Sequence, residues 1–217
     1  MDKKNQAWED LISALTQQGI LRSPKIISAF KAVPRWKFVT DGLIDHAADD
    51  IPLPIGYGQT ISQPLTVAIM LEALQPKTGE QCLDVGAGSG WVSALLSTLV
   101  GPTGKVLGFE RIPQLTRVAQ DRLRIEALTN VTIESGDASH GWSADAPYDI
   151  IHVAAAARSV PAEMKEQLVI GGRLIIPVGE PVQDLALITK IGDNKFSDRR
   201  IPGFQFVPLI NNQTNPT

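Results

Sequence analysis

The sequence predicts an α/β fold: a doubly wound, mostly parallel sheet with a helical N-terminal extension and a C-terminal antiparallel strand pair. Three observations predict it. From about residue 79, short apolar runs alternate with helical patterns across short links, the signature of βαβ units covered on both faces. A glycine-rich turn joins the first apolar run to the helix that follows it. Before residue 49, apolar residues recur at helical spacing.

The elements follow in order. Trp8, Leu11, Ile12 and Leu15 place a helix over 5–18. A second helix fits 23–32, with Ser23 as its cap, Pro24 in its first turn and Pro34 beyond its end. Residues 49–64 are dense in Pro and Gly and read as a shaped loop, whose apolar residues imply that it packs on something. Val67, Ile69, Met70, Leu71 and Leu74 continue as a helix over 64–74. Strands are expected at 81–85, 105–110, 131–134, 148–153 and 173–178, and helices at 90–100, 113–128 and 161–169. At the end, 184–191 and 204–210 read as two strands joined through a turn at Gly192-Asp193-Asn194-Lys195. The polar residues 211–217 read as a frayed tail. The whole chain, 1–217, reads as a single domain with 1–48 as its extension.

Composition narrows the class. The 217 residues suffice for one well-buried domain, and 43% hydrophobic with 20% charged residues argues against a disordered chain. A formal net charge of −3 does not suggest a nucleic-acid-binding surface. The single cysteine, Cys82, has no internal disulfide partner, and His46, His140 and His152 are too scattered to make a zinc site with it. The first residues do not resemble a secretory signal, and no apolar run reaches the ~18 residues of a membrane span. The expectation is a cytoplasmic, monomeric protein without membrane, nucleic-acid or metal partners.

The sharpest motif is Leu83-Asp84-Val85-Gly86-Ala87-Gly88-Ser89-Gly90. It stands where a strand ends and a helix begins. Glycines there allow a sharp turn and let a ligand approach the backbone, and the helix start adds free N–H donors. The spacing is G-x-G-x-G. The dinucleotide fingerprint, G-x-G-x-x-G, wants its third glycine where this chain has Trp91, which would crowd helix–strand packing. Acids stand at three strand ends: Asp84 before the loop, Glu110 placed for ribose hydroxyls, and Asp137. The loop holds no Lys or Arg, so a cationic adenosyl ligand suits it better than a polyphosphate.

Longer stretches carry a resemblance. Val33-Pro34-Arg35 with Phe38-Val39, the segment Pro52 through Pro64, Asp84 through Gly90, Glu110-Arg111-Ile112-Pro113, Pro147-Tyr148-Asp149, Gly171 through Gly179 and Phe206-Val207-Pro208-Leu209 run nearly end to end. Together they resemble the protein-L-isoaspartate O-methyltransferases, within the class I, Rossmann-like fold of S-adenosylmethionine-dependent methyltransferases. The Gly58-Gln59-Thr60-Ile61-Ser62 segment is the most specific part.

The resemblance implies methyl transfer from S-adenosylmethionine, leaving S-adenosylhomocysteine, to the free carboxylate of L-isoaspartyl residues in damaged proteins or peptides. The ester then closes to a succinimide, which begins repair. It makes Ser62 the catalytic serine, orienting the carboxylate, and makes 49–64 the active-site loop and 79–210 the cofactor-binding core. It implies a cofactor site built from Gln59, Thr60, Ile61 and Ser62, then Asp84, Gly86, Gly88, Ser89 and Gly90, then Glu110, Arg111, Asp137 and Ala138. Against the family's usual pattern the chain departs at Ala48, Leu65, Thr66, Ala138, Ala154, Arg158 and Gln205. Two alternatives stay open: a methyltransferase of this fold acting on another peptide or small-molecule carboxylate, and a cofactor-binding homologue without isoaspartyl activity.

Overall fold

A computed structural model describes residues 2–210. Two helices, α1 (Lys3–Gln17) and α2 (Pro24–Ala32), lead into two short 3-10 turns and a hairpin of β1 (Leu53–Gly56) and β2 (Gln59–Ile61). The loop expected at 49–64 is thus a hairpin over residues 53–61. After α3 (Pro64–Leu74) the alternation begins: β3 (Gln81–Val85), α4 (Trp91–Val100), β4 (Lys105–Glu110), α5 (Pro113–Ile125), β5 (Val131–Ser135), β6 (Tyr148–Val153), α6 (Ala162–Glu166) and β7 (Leu168–Val178). The chain then runs through β8 (Gln183–Gly192) and β9 (Lys195–Phe204).

One seven-stranded sheet has the order β5-β4-β3-β6-β7-β8-β9. The first five strands are mutually parallel, and β8 and β9 each run antiparallel to the strand before. Chain direction across the sheet reverses between β3 and β6, so a crevice opens at the carboxyl ends of these strands. Strand alternation sorts the core. Cys82 and Ile150 face one side and pack with α1 to α5, while Leu83, Val85 and Ile151 face the other. That second face is covered by the five-residue α6 and by irregular segments, so the winding is lopsided.

Several expectations change here. The helix expected at 161–169 ends at Glu166, because β7 starts at Leu168 and runs eleven residues. The last strand is 195–204 rather than 204–210. It follows directly from the tight turn as an exposed edge, and what comes after it is a strap. Ser23 does not cap α2 with its side chain; its Oγ donates to Glu72 Oε2 (2.8 Å), tying α2 to α3. Trp91 does not crowd the glycine loop. It turns away, meets Trp8 and Phe30 edge-on with ring centroids 6.0 and 5.8 Å apart, and donates from Nε1 to Val33 O. Arg122 on α5 reaches back to Val39 O (2.8 Å) and pins the N-terminal extension.

Among the described residues no helix is long and apolar enough to cross a membrane, and no group of three or more His, Cys, Asp or Glu could hold a metal ion. Cys82 is fully buried, and burial with the nearby Glu80 pushes its thiol far above its ordinary value, so it is no reactive thiolate.

Candidate active site

Two clefts open side by side at the carboxyl ends of the parallel strands. The first is lined by the β3–α4 loop (Gly86, Gly88), the ends of β4 and β5 (Phe109, Glu110, Gly136, Asp137), Ala154 and Ala155 after β6, the β1–β2 hairpin, and residues 207–210. The second is lined by Ser62, Gln63, Leu65 and Thr66 at the entry to α3, with Pro52, Val182 and the segment 203–207. Thr60, Ala154 and Val207 line both, so the clefts meet there.

The glycine loop is shaped by its hydrogen bonds. Gly86 and Ala87 both donate to Phe109 O at 2.9 Å, which folds the loop back over β4. Gly88 has φ +53 and lies under the hairpin; a Cβ there would sit 3.2 Å from Ile55 Cδ1. Its N–H donates to Glu110 Oε2 (2.9 Å), and Ile112 N–H donates to Glu110 Oε1 (2.8 Å). Glu110, 7% exposed, therefore ties the loops after β3 and β4 together at the cleft wall. Asp137 takes the N–H of Ser139 on Oδ1 (2.9 Å), closing the turn after β5.

Of the residues expected to bind cofactor, Gln59, Thr60, Gly86, Gly88, Glu110, Arg111, Asp137 and Ala138 line the first cleft. Ser62 lines the second instead. Ile61, Asp84, Ser89 and Gly90 line neither. Ile61 is buried with the core. Gly90 starts α4 at φ +85, and a Cβ there would meet Ala119 Cβ at 3.2 Å, so its smallness serves the contact with α5. Ser89 is buried beside it. Asp84 lies behind the loop with no exposure. Its carboxylate accepts from Ser93 Oγ and from His152 Nδ1, the latter at 2.8 Å. The acid nearest the glycines holds the sheet to α4 and does not face the cleft.

Sequence reasoning missed the strap. Residues 206–209 return across both clefts, held by Phe206 N–H to Gln183 Oε1 (2.8 Å), Ala156 N–H to Val207 O (2.8 Å) and Leu209 N–H to Ala156 O (2.7 Å). Pro208 was the available signal against reading this stretch as a strand. The departures from the family pattern fall mostly at the second cleft: Leu65, Thr66, Ala154 and Gln205 line it. Ala138 lines the first, Ala48 packs against the core, and Arg158 is exposed and paired with Glu180.

Comparison with known proteins agrees over the full architecture. The family model for protein-L-isoaspartate(D-aspartate) O-methyltransferase matches residues 5–214. A protein-L-isoaspartate O-methyltransferase of Methanopyrus kandleri is 44% identical over 94% of this chain and 92% of its own. A second relative of that name, from Marinobacter nauticus, is 39% identical over the whole of both chains. A solved Plasmodium falciparum chain, assigned provisionally to the same activity and bound to S-adenosyl-L-homocysteine, superposes with a TM-score of 0.83 at 26% identity, covering 94% of this chain and 99% of that one. On the family match and the two relatives, this chain belongs to the protein-L-isoaspartate O-methyltransferase family.

Proposed function

We infer that the chain transfers a methyl group from S-adenosylmethionine to the free carboxylate of L-isoaspartyl residues in damaged proteins or peptides, starting repair through a succinimide. The observation that carries this reading is a cofactor cleft and an acceptor cleft that meet at Thr60, Ala154 and Val207 in a chain of this family. The first cleft fits an adenosyl sulfonium: it carries two acids, Glu110 and Asp137, one basic residue, Arg111, and bare backbone at Gly86 and Gly88. When bound, S-adenosylmethionine supplies a methyl group already activated on sulfur.

Gln59, Thr60, Gly86, Gly88, Glu110, Arg111, Asp137 and Ala138 hold the cofactor in this reading, and Ser62 is the catalytic residue on the acceptor side. A carboxylate is ionised and nucleophilic near neutral pH, so no strong base is required. The work left to the chain is alignment and exclusion of water. Among the described residues the Ser62 hydroxyl makes no hydrogen bond, which leaves it to donate to an incoming carboxylate. It does not cap α3 either: the Leu65 N–H is taken by Asp50 Oδ1 at 2.8 Å.

We further propose one domain over 1–217, with 1–48 as its helical extension, 49–64 as the active-site loop and 79–210 as the cofactor-binding core. A single cluster running from Trp8 through Cys82 to Leu185 supports this. A monomeric cytoplasmic enzyme without nucleic-acid or membrane partners is the accompanying reading; the net charge of −3 supports its nucleic-acid part.

The test is a methylation assay with labelled S-adenosylmethionine on an isoaspartyl peptide and its aspartyl twin. Label is expected on the first alone. Label on neither, with S-adenosylhomocysteine binding intact, would sink the isoaspartyl reading in favour of a methyltransferase of another carboxylate or a binding homologue. Ser62→Ala is expected to lower turnover about tenfold to a hundredfold, the worth of one orienting hydrogen bond of roughly 1–3 kcal/mol. Its cofactor affinity and melting temperature should stay near wild type. A lowered melting temperature with wild-type turnover would remove Ser62 from the reaction.

A further inference from the structure

Ser62 lies on a stretch with little packing of its own. Asp49, Ile51, Pro52 and Thr60 are exposed; Ala47, Leu53, Ile55 and Ile61 are buried in the core, and Ala48 packs against it half-buried. Hydrogen bonds from one side chain hold it instead. Arg35 has no exposed surface. Its Nη1 donates to Ala47 O (3.2 Å) and Asp49 O (3.1 Å), and its Nη2 to Ile51 O (2.8 Å) and Ile61 O (3.1 Å). The guanidinium lies 5.8 Å from the Trp91 ring, which Val33 O anchors in turn. Burial pulls Arg35 down to about 10, with Asp50 and Asp49 opposing the shift, so it stays charged near neutral pH.

The four carbonyls are not neighbours in sequence. They span Ala47 to Ile61, so one planar fork gathers both ends of the loop to a single point. Ile61, the last of them, is bonded directly to Ser62. On the other side Asp50 Oδ1 holds the Leu65 N–H. Ser62 is thereby bracketed: its preceding carbonyl is fixed by Arg35, and the amide three residues on is fixed by the carboxylate of the same loop.

We propose that Arg35 is a positioning residue for the methyl transfer, setting Ser62 in the wall of the acceptor cleft by fixing the Ile61 carbonyl and the loop behind it. The inference rests on the reading of Ser62 given above. Arg35 touches neither cleft, and it acts through backbone geometry. A lysine cannot replace it, because a single ammonium cannot span four carbonyls on two diverging donors.

The test is a double-mutant cycle between Arg35→Lys and Ser62→Ala on the full chain. Turnover of an isoaspartyl peptide is normalised to the stoichiometry of S-adenosylhomocysteine binding, so loss of folded protein does not count. Arg35→Lys alone is expected to lower kcat by about tenfold or more, with S-adenosylhomocysteine affinity within about threefold of wild type. In the Ser62→Ala background the same change should cost less than about threefold, because the hydroxyl it positions is gone. A purely structural role predicts equal losses in both backgrounds, and that outcome overturns the proposal. Full turnover in Arg35→Lys overturns it also, leaving the Ser62 reading intact. Unchanged turnover in Ser62→Ala overturns both. Arg35→Gln, which keeps two donors, is run beside it. If neither variant binds S-adenosylhomocysteine at all, Arg35 holds the whole fold and the proposal fails.

Discussion

Asp84→Ala is expected to destabilise the protein by about 3–5 kcal/mol while leaving cofactor affinity in the folded fraction nearly unchanged. The carboxylate is fully buried and serves two partners, Ser93 on α4 and His152 on β6. Removing it strands a hydroxyl and a ring N–H in an interior that cannot solvate them, at about 1–3 kcal/mol for each ordinary unpaired group and more where charge is involved. Against a typical total of about 5–15 kcal/mol this is a large share. In a chain of this size it corresponds to roughly 6–20 °C in melting temperature. Asp84→Asn keeps one acceptor oxygen and should fall between. Thermal or urea unfolding gives the stability, and calorimetry below the transition gives the affinity of what remains folded. A wild-type melting temperature with lost S-adenosylhomocysteine binding would return Asp84 to the cofactor site.

That prediction reverses the sequence reading, and the reason is geometric. Asp84 stands two residues before a glycine loop, and proximity in sequence made it a ligand candidate. Strand period says otherwise: Asp84 alternates with Leu83 and Val85 and shares its face with Cys82, which points it at α4. Where apolar runs were short and punctuated by glycine, as in β3 and β4, or by proline, as in β6, the strand bounds were legible to the residue. The stretch 195–204 was not. As an exposed edge it carries Asp198, Arg199, Arg200 and Pro202, so the alternation that marks a half-buried strand is missing. Its misplacement then hid the strap, and with it a wall of both clefts. Gln59, Thr60 and Ser62 were legible only through the resemblance. Nothing in composition or spacing separates them from any other loop, and the contact that aims them, Arg35, comes from outside the loop.

Glu110→Ala is expected to weaken S-adenosylhomocysteine binding by about 1–3 kcal/mol, roughly fivefold to 150-fold in Kd. Two losses combine. The carboxylate lines the first cleft, and in the proposed reading its remaining lone pairs would accept from the ribose hydroxyls of the bound cofactor. It also accepts from Gly88 N–H and Ile112 N–H, so alanine frees the loops after β3 and β4 from one another. The second loss costs order that the ligand must then restore on binding, which pushes the effect toward the upper end of the range. The two losses are separable. Glu110→Gln keeps an oxygen for one backbone N–H, but the NH2 that replaces the other oxygen cannot accept from a ribose hydroxyl. If direct contact dominates, Gln should bind nearly as poorly as Ala. If loop order dominates, Gln should recover most of the affinity and most of any lost melting temperature. Calorimetry on both variants decides between these, and unchanged affinity in a folded Glu110→Ala protein would remove Glu110 from the site.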